Sequence, residues 1–110
     1  MAKLKDKDIW EDPNLPSVRA TQHNVARMKT YGTPVPNMEM FADLISPIVY
    51  PDEPDRKVTP PQASMILVQL KVMREVQMGY PLDYADNLED VGGWVNVLYM
   101  CKEAQREAAE

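Results

Sequence analysis

The sequence holds one cysteine, one histidine and one phenylalanine in 110 residues, and each scarcity closes off a class of protein. A lone Cys101 excludes an intrachain disulfide framework, and a free thiol on an apolar helix face fits a reducing compartment. A lone His23, with no cysteine or second histidine at ligand spacing, is a poor start for a zinc site and reads as structural or solvated. No apolar run approaches the roughly eighteen residues that a membrane span needs, and no signal-peptide pattern opens the chain. Basic residues number 12 against 17 acidic ones, for a formal charge of -5. That balance argues against binding the backbone of DNA or RNA. Strand-like alternation, a glycine-rich phosphate loop, a Ser/His/Asp arrangement and an internal repeat are all missing. What is left is a cytoplasmic, all-α chain. Its 45% hydrophobic content supports one modest core that is marginal for a lone monomer.

Prolines and polar residues divide the chain into helices. Residues 1–16 are dense in Lys and Asp, close on Asp-Pro-Asn-Leu-Pro and read as a flexible N-terminal arm. In that arm Trp10 either caps the body of its own subunit or docks on a partner. Ser17 is placed to cap a short helix from Val18 to about Thr30, and residues 17–110 form a single domain. Gly32 closes this helix. A second runs from about Asn37 to Ile45 or a little beyond, where Pro47 ends or kinks it. The stretch from Tyr50 to Val58 reads as a polar loop. Thr59-Pro60-Pro61 then opens a third helix that stops at Gly79.

The third helix is apolar around most of its circumference, which places it at the centre of the core or at a subunit interface. Four short helices cover such a helix poorly. A homodimer or higher oligomer burying Ile66, Leu70 and Met73 follows. Lys71, Arg74 and Glu75 share its remaining polar face.

The last helix, from about Tyr84 to about Arg106, organises the rest. Leu88, Val91, Val95, Leu98 and Tyr99 follow i, i+3, i+4, i+7 spacing and define its expected buried face. Asp86, Glu89, Asp90 and Gly93 fall on a different stripe near its start. Paired glycines inside a helix cost about 1 kcal/mol each against alanine. Something close-packed is therefore expected at Gly92-Gly93, either another helix backbone or a ligand held by the acids.

Three pieces of sequence, in order, resemble small phage and prophage proteins of the MazG-like group. Arg27-Met-Lys-Thr-Tyr-Gly-Thr-Pro-Val-Pro-Asn37 is similar to their E-R-G-x-x-Y-G-x-P-x-x-N-F segment. Val58-Thr-Pro-Pro-Gln-Ala-Ser-Met-Ile-Leu-Val-Gln-Leu-Lys71-Val-Met-Arg74 is similar to their T-P-x-x-x-A/V-x-x-M-x-x-L-K-x-x-R helix. Asp86-Asn87-Leu-Glu-Asp90-Val-Gly-Gly93-Trp94 is similar to their D-N-x-x-D-x-x-G-Y helix start. The likeness covers about residues 25 to 105 and implies a four-helix, bundle-like subunit.

What the resemblance implies about activity is Mg²⁺-dependent hydrolysis of the α–β phosphate bond of a (d)NTP or related nucleotide. Members hold the metal on an E-x-x-E pair and, one helix later, an E-x-x-D pair. By that correspondence Asn87-Leu-Glu-Asp90 takes the second slot. Asp86 and Asp90 become metal ligands, Glu89 and Asp90 the catalytic acids, and Lys71, Arg74 and Asn87 the groups that bind substrate. The chain departs from the pattern in having no E-x-x-E, with Lys71 and Arg74 where acids are expected, and in Ala26 replacing the acid of E-R-G. The alternative is a non-catalytic phage accessory protein, in the host cytoplasm, that binds a nucleotide or a host protein through the inherited cleft. Either form is expected as a homo-oligomer, dimer or tetramer, without contact to membrane or nucleic-acid backbone.

Overall fold

A computed structural model describes residues 10–110. They form four helices and, among the described residues, no strand: α1 (Pro16–Tyr31), α2 (Val35–Val49), α3 (Pro60–Gln77) and α4 (Asp86–Ala109). The fold is all-α and bundle-like. Residues 1–9 of the expected flexible arm lie outside the described residues. Trp10, at the near end of that arm, is 74% exposed and does not cap the body.

Prolines start three of the four helices. Pro16 occupies the first turn of α1, where a missing N–H costs nothing and a fixed φ is already helical. The helix therefore begins one residue before the expected cap Ser17, with Leu15 at the N-cap position and no side-chain cap. Pro36 acts likewise in α2, which starts at Val35 rather than at Asn37. Pro47 neither ends nor interrupts α2. It sits in the last turn, and the helix continues to Val49, closed by the Tyr50 N–H donating to the Ser46 carbonyl at 2.9 Å.

The third helix opens as its sequence predicts. The Thr59 hydroxyl accepts from the Gln62 N–H at 3.3 Å while the Gln62 amide oxygen accepts from the Thr59 N–H at 2.9 Å, a reciprocal capping box. At its other end Gly79 and Tyr80 take positive φ values of 75° and 55°. Gly79 donates to the Val76 carbonyl and Tyr80 to that of Glu75, the paired closure of a Schellman turn.

The fourth helix is the hub. It packs on α1, α2 and α3, whereas α1 packs on α4 alone. Gly92 is what lets α1 approach, since a Cβ there would lie 3.0 Å from the Ala20 Cβ. Asn96 fastens the same crossing by donating to the Asn24 amide oxygen at 2.8 Å. On the other side the Ser64 hydroxyl of α3 donates to the Trp94 carbonyl at 2.6 Å.

The core is two small clusters joined by Phe41, one around Met38, Val97 and Cys101 and the other around Ala42, Val58 and Ala63. Val58 therefore belongs to the core and not to a polar loop. Its N–H donates to the buried Ser46 hydroxyl at 2.8 Å, and that hydroxyl donates onward to the Ala42 carbonyl at 2.6 Å.

Two expectations about faces are met only in part. Leu88, Val95 and Tyr99 of α4 are exposed while Val91 and Leu98 of the same expected face are half-buried, and the helix fully buries Asn87, Glu89, Val97 and Cys101. Of α3, only Ala63 and Ser64 are buried, so of its two expected places the centre of the core is not the one it takes within this chain. Each of these helices carries apolar residues on two sides, and α3 and α4 pack chiefly on each other, which leaves the other side of each outward.

Candidate functional site

Because α1 touches only α4, a gap remains between α1 and α2, closed at one end by the Tyr31–Pro34 turn. The gap is a cleft of about 610 Å³. From α1 it receives His23, Asn24 and Arg27, from the turn Tyr31 and Gly32, from α2 Asn37 and Met38, and from α4 Glu89, Asp90, Gly93 and Trp94. The two glycines of α4 differ in what they face: Gly92 admits the close approach of α1, and Gly93 lines the cleft beside the Asn24 amide, which a Cβ there would meet at 3.8 Å.

Besides Tyr31, four charged or titratable side chains face this space, and their partners decide its character. Glu89 is buried, with 7% of its side chain exposed, and its carboxylate meets Arg19 Nε at 3.0 Å. His23 Nδ1 stands 3.8 Å from the other oxygen. Asp90 is half-exposed and meets the Lys71 ammonium at 3.1 Å. Both acids of the cleft are therefore neutralised by cations that approach from outside it. Arg27 has no ion-pair partner among the described residues, so it is the cleft's uncompensated charge.

Of the residues singled out by sequence, Glu89 and Asp90 line the cleft, and Lys71 reaches Asp90 from outside it. The others are not at the cleft. Asp86 is exposed in the first turn of α4, and Arg74 is exposed on α3. Asn87 is buried on the far side, where its amide nitrogen is within 3.5 Å of Glu75 Oε1 and 3.2 Å of Met78 Sδ. It ties the start of α4 to the end of α3. Among the described residues, no three His, Cys, Asp or Glu side chains gather as a metal site. Mg²⁺ binds through carboxylate oxygens in octahedral geometry. Of the two residues named as metal ligands, Asp86 is exposed in the first turn of α4 and Asp90 lines the cleft with one oxygen on Lys71.

Sequence reasoning did not single out Arg19, Asn24, Arg27 or Asn37. Arg27, Tyr31, Gly32, Pro34 and Asn37 all belong to the first of the three resembling pieces, and Asp90, Gly93 and Trp94 to the third. What sequence alone lacked was their proximity.

An all-α chain with a cleft lined by aromatic and amide side chains, in which Arg27 has no ion-pair partner among the described residues, is the class that fold and site define. Residues 19–102 match the model of a family described as a domain of unknown function, DUF6378, and the chain belongs to that family. No curated protein and no solved structure matches it.

Proposed function

We propose that the chain is a MazG-like protein that binds a nucleotide in the cleft between α1, α2 and α4. One observation carries this reading. Two of the pieces that resemble the MazG-like group, some sixty positions apart in sequence, line the same cleft. The chemistry of the lining agrees with it. Arg27 supplies a planar fork for phosphate, with Asn24, Asn37 and His23 as further polar partners. Tyr31 and Trp94 offer aromatic faces, on which any base can stack. The volume falls within the roughly 300–1,000 Å³ of small-molecule sites.

Hydrolysis is the second reading, favoured by the placement of Glu89 and Asp90 in that same cleft. The Lys71 pair occupies one Asp90 oxygen and leaves the other lone pairs of the carboxylate for a water or a metal.

Calorimetric titration with nucleoside mono-, di- and triphosphates, with and without Mg²⁺, tests both. Binding that does not need Mg²⁺ and weakens about 10-fold or more in Arg27→Ala is the expected result, since a hydrogen bond to a charged group contributes roughly 1.5–3 kcal/mol. Release of pyrophosphate only with Mg²⁺ would favour the hydrolytic reading. No heat with any nucleotide would remove the cleft from nucleotide chemistry.

A further inference from the structure

Two residues that line the cleft, His23 and Arg27, stand one helical turn apart on α1. Residues at that spacing are neighbours on a helix face, with Cβ atoms about 5–6 Å apart, so both side chains can reach one phosphoryl group. They differ in what holds them. Arg27 has no ion-pair partner among the described residues. His23 presents Nδ1 to Glu89 Oε2 at 3.8 Å, with 56% of its side chain exposed. That distance is too long for a hydrogen bond, but the charge of the carboxylate favours the ring proton on Nδ1. Nε2, on the other side of the imidazole, then keeps its lone pair as an acceptor.

A hydrogen-bond acceptor beside a guanidinium asks for an anion that carries a proton of its own. A phosphate monoester is such a group, because its second proton has a pKa of about 6. A phosphodiester has no second proton to offer. The monoester donates its O–H to Nε2 as a monoanion, or passes the proton across and accepts from the imidazolium as a dianion. Its remaining oxygens take the Arg27 fork.

Charge limits how much phosphate the cleft takes. Glu89 and Asp90 line it, and each is matched by a cation that reaches it from outside, Arg19 and Lys71. Arg27 alone is left over to serve a ligand. A triphosphate would set further negative charge beside two carboxylates, with no additional cation to meet it.

We infer that the cleft selects one terminal phosphate monoester, held by Arg27 and His23 together, so that its ligand is a nucleoside 5′-monophosphate rather than a triphosphate or a cyclic nucleotide. This rests on the nucleotide reading above and narrows it.

The test is calorimetric titration of the full chain, without divalent metal, against the 5′-monophosphate, triphosphate and 3′,5′-cyclic monophosphate of each common nucleoside. The 5′-monophosphate of at least one nucleoside should bind about 10-fold or more tighter than its two counterparts, the scale of a lost charge-assisted hydrogen bond. His23→Gln should remove that preference while the cyclic nucleotide binds as before. The chain has one histidine, so its ring resonances report this site alone and need no variant. In the free protein their ¹⁵N shifts should place the proton on Nδ1, and the 5′-monophosphate should move the Nε2 signal. A proton on Nε2 in the free protein, or a ring signal that the bound 5′-monophosphate leaves unmoved, overturns the inference. A triphosphate or cyclic nucleotide that binds as tightly as the 5′-monophosphate overturns it too, and leaves the nucleotide reading standing. Binding of no nucleotide at all removes both.

Discussion

The Lys71 ammonium lies 3.1 Å from an Asp90 carboxylate oxygen, with the lysine side chain 18% exposed and the aspartate 46% exposed. The pair joins the middle of α3 to the first turns of α4. It also gives a counter-charge to one of the two acids, Asp86 and Asp90, that stand one helical turn apart and were named as metal ligands. Asp86 faces solvent, Asp90 faces lysine, and the two are not left in mutual repulsion.

The pair makes Asp90→Asn a sharp test. A repelling, metal-awaiting acid would be neutral or stabilising to remove. Asp90→Asn should instead destabilise, because it leaves a mostly buried ammonium without its counter-charge. A half-exposed pair is worth less than a buried one, so the expected loss is about 1 kcal/mol. Urea unfolding reads it directly, and Mg²⁺ should leave the wild-type midpoint where it was. A more stable Asp90→Asn protein, or a Mg²⁺-dependent rise in the wild-type midpoint, would favour the metal reading.

Gly92 and Gly93 should respond to alanine with opposite signs. Both sit inside α4, where alanine gains up to about 1 kcal/mol over glycine. A Cβ at Gly93 meets only the Asn24 amide, at 3.8 Å, an ordinary contact. A Cβ at Gly92 meets the Ala20 Cβ at 3.0 Å, and Ala20 is fixed to the backbone of α1, so the helix itself has to move. Thermal melts should therefore rise for Gly93→Ala and fall for Gly92→Ala. Equal gains at both positions would mean that α1 is not held where the Asn96–Asn24 bond places it.

Punctuation was legible in the sequence, and facing was not. Thr59-Pro60-Pro61 and Gly79 marked both ends of α3 because capping and left-handed closure are local events, settled within four or five residues. The all-α class followed from the same local signals. Which side of α3 and α4 turns inward depends on what else is near. A helix with Leu88, Val95 and Tyr99 on one side and Val97 and Cys101 on another has no single apolar stripe to read. Val58 was hidden among charges, and only its bond to Ser46, twelve positions back, shows it to be core. The cleft was half legible. Glu89 and Asp90 stood out by their place at a helix start, but Arg27 and Asn37 acquire meaning only when α1 and α2 close on α4.

Cys101 adds a pH dependence. It is 1% exposed, and burial pushes its thiol above the usual range, with Glu39 adding to the shift. A raised pKa in the folded state means that the contribution to stability is complete below the unfolded thiol's pKa. It is then lost as pH rises through the folded value. Melting temperature should thus fall across the alkaline range above the ordinary thiol pKa, and Cys101→Ala should flatten that slope. Alkylation of the native protein at neutral pH should be slow and become fast in urea. Rapid labelling of the native protein would show that the Met38–Val97 cluster opens easily.

Glu89 and Arg19 should not be equally expensive to lose. The carboxylate is buried and belongs to α4, while the guanidinium is 44% exposed on α1 and can turn to water when its partner goes. Glu89→Gln keeps the shape, removes the buried charge and should cost about 1 kcal/mol, the scale of one net hydrogen bond. Arg19→Met leaves the carboxylate in place without its main counter-charge, and His23 at 3.8 Å is too far to replace a 3.0 Å bond. That loss should reach about 2–3 kcal/mol, toward the lower side of what breaking a buried pair costs. The double variant Arg19→Met with Glu89→Gln should then recover part of it, because the stranded charge is gone. Urea midpoints for the three proteins give the comparison. A Glu89→Gln protein less stable than Arg19→Met would mean that Glu89 supports α1 through contacts other than its charge. The carboxylate would then belong to the helix crossing rather than to the chemistry of the cleft.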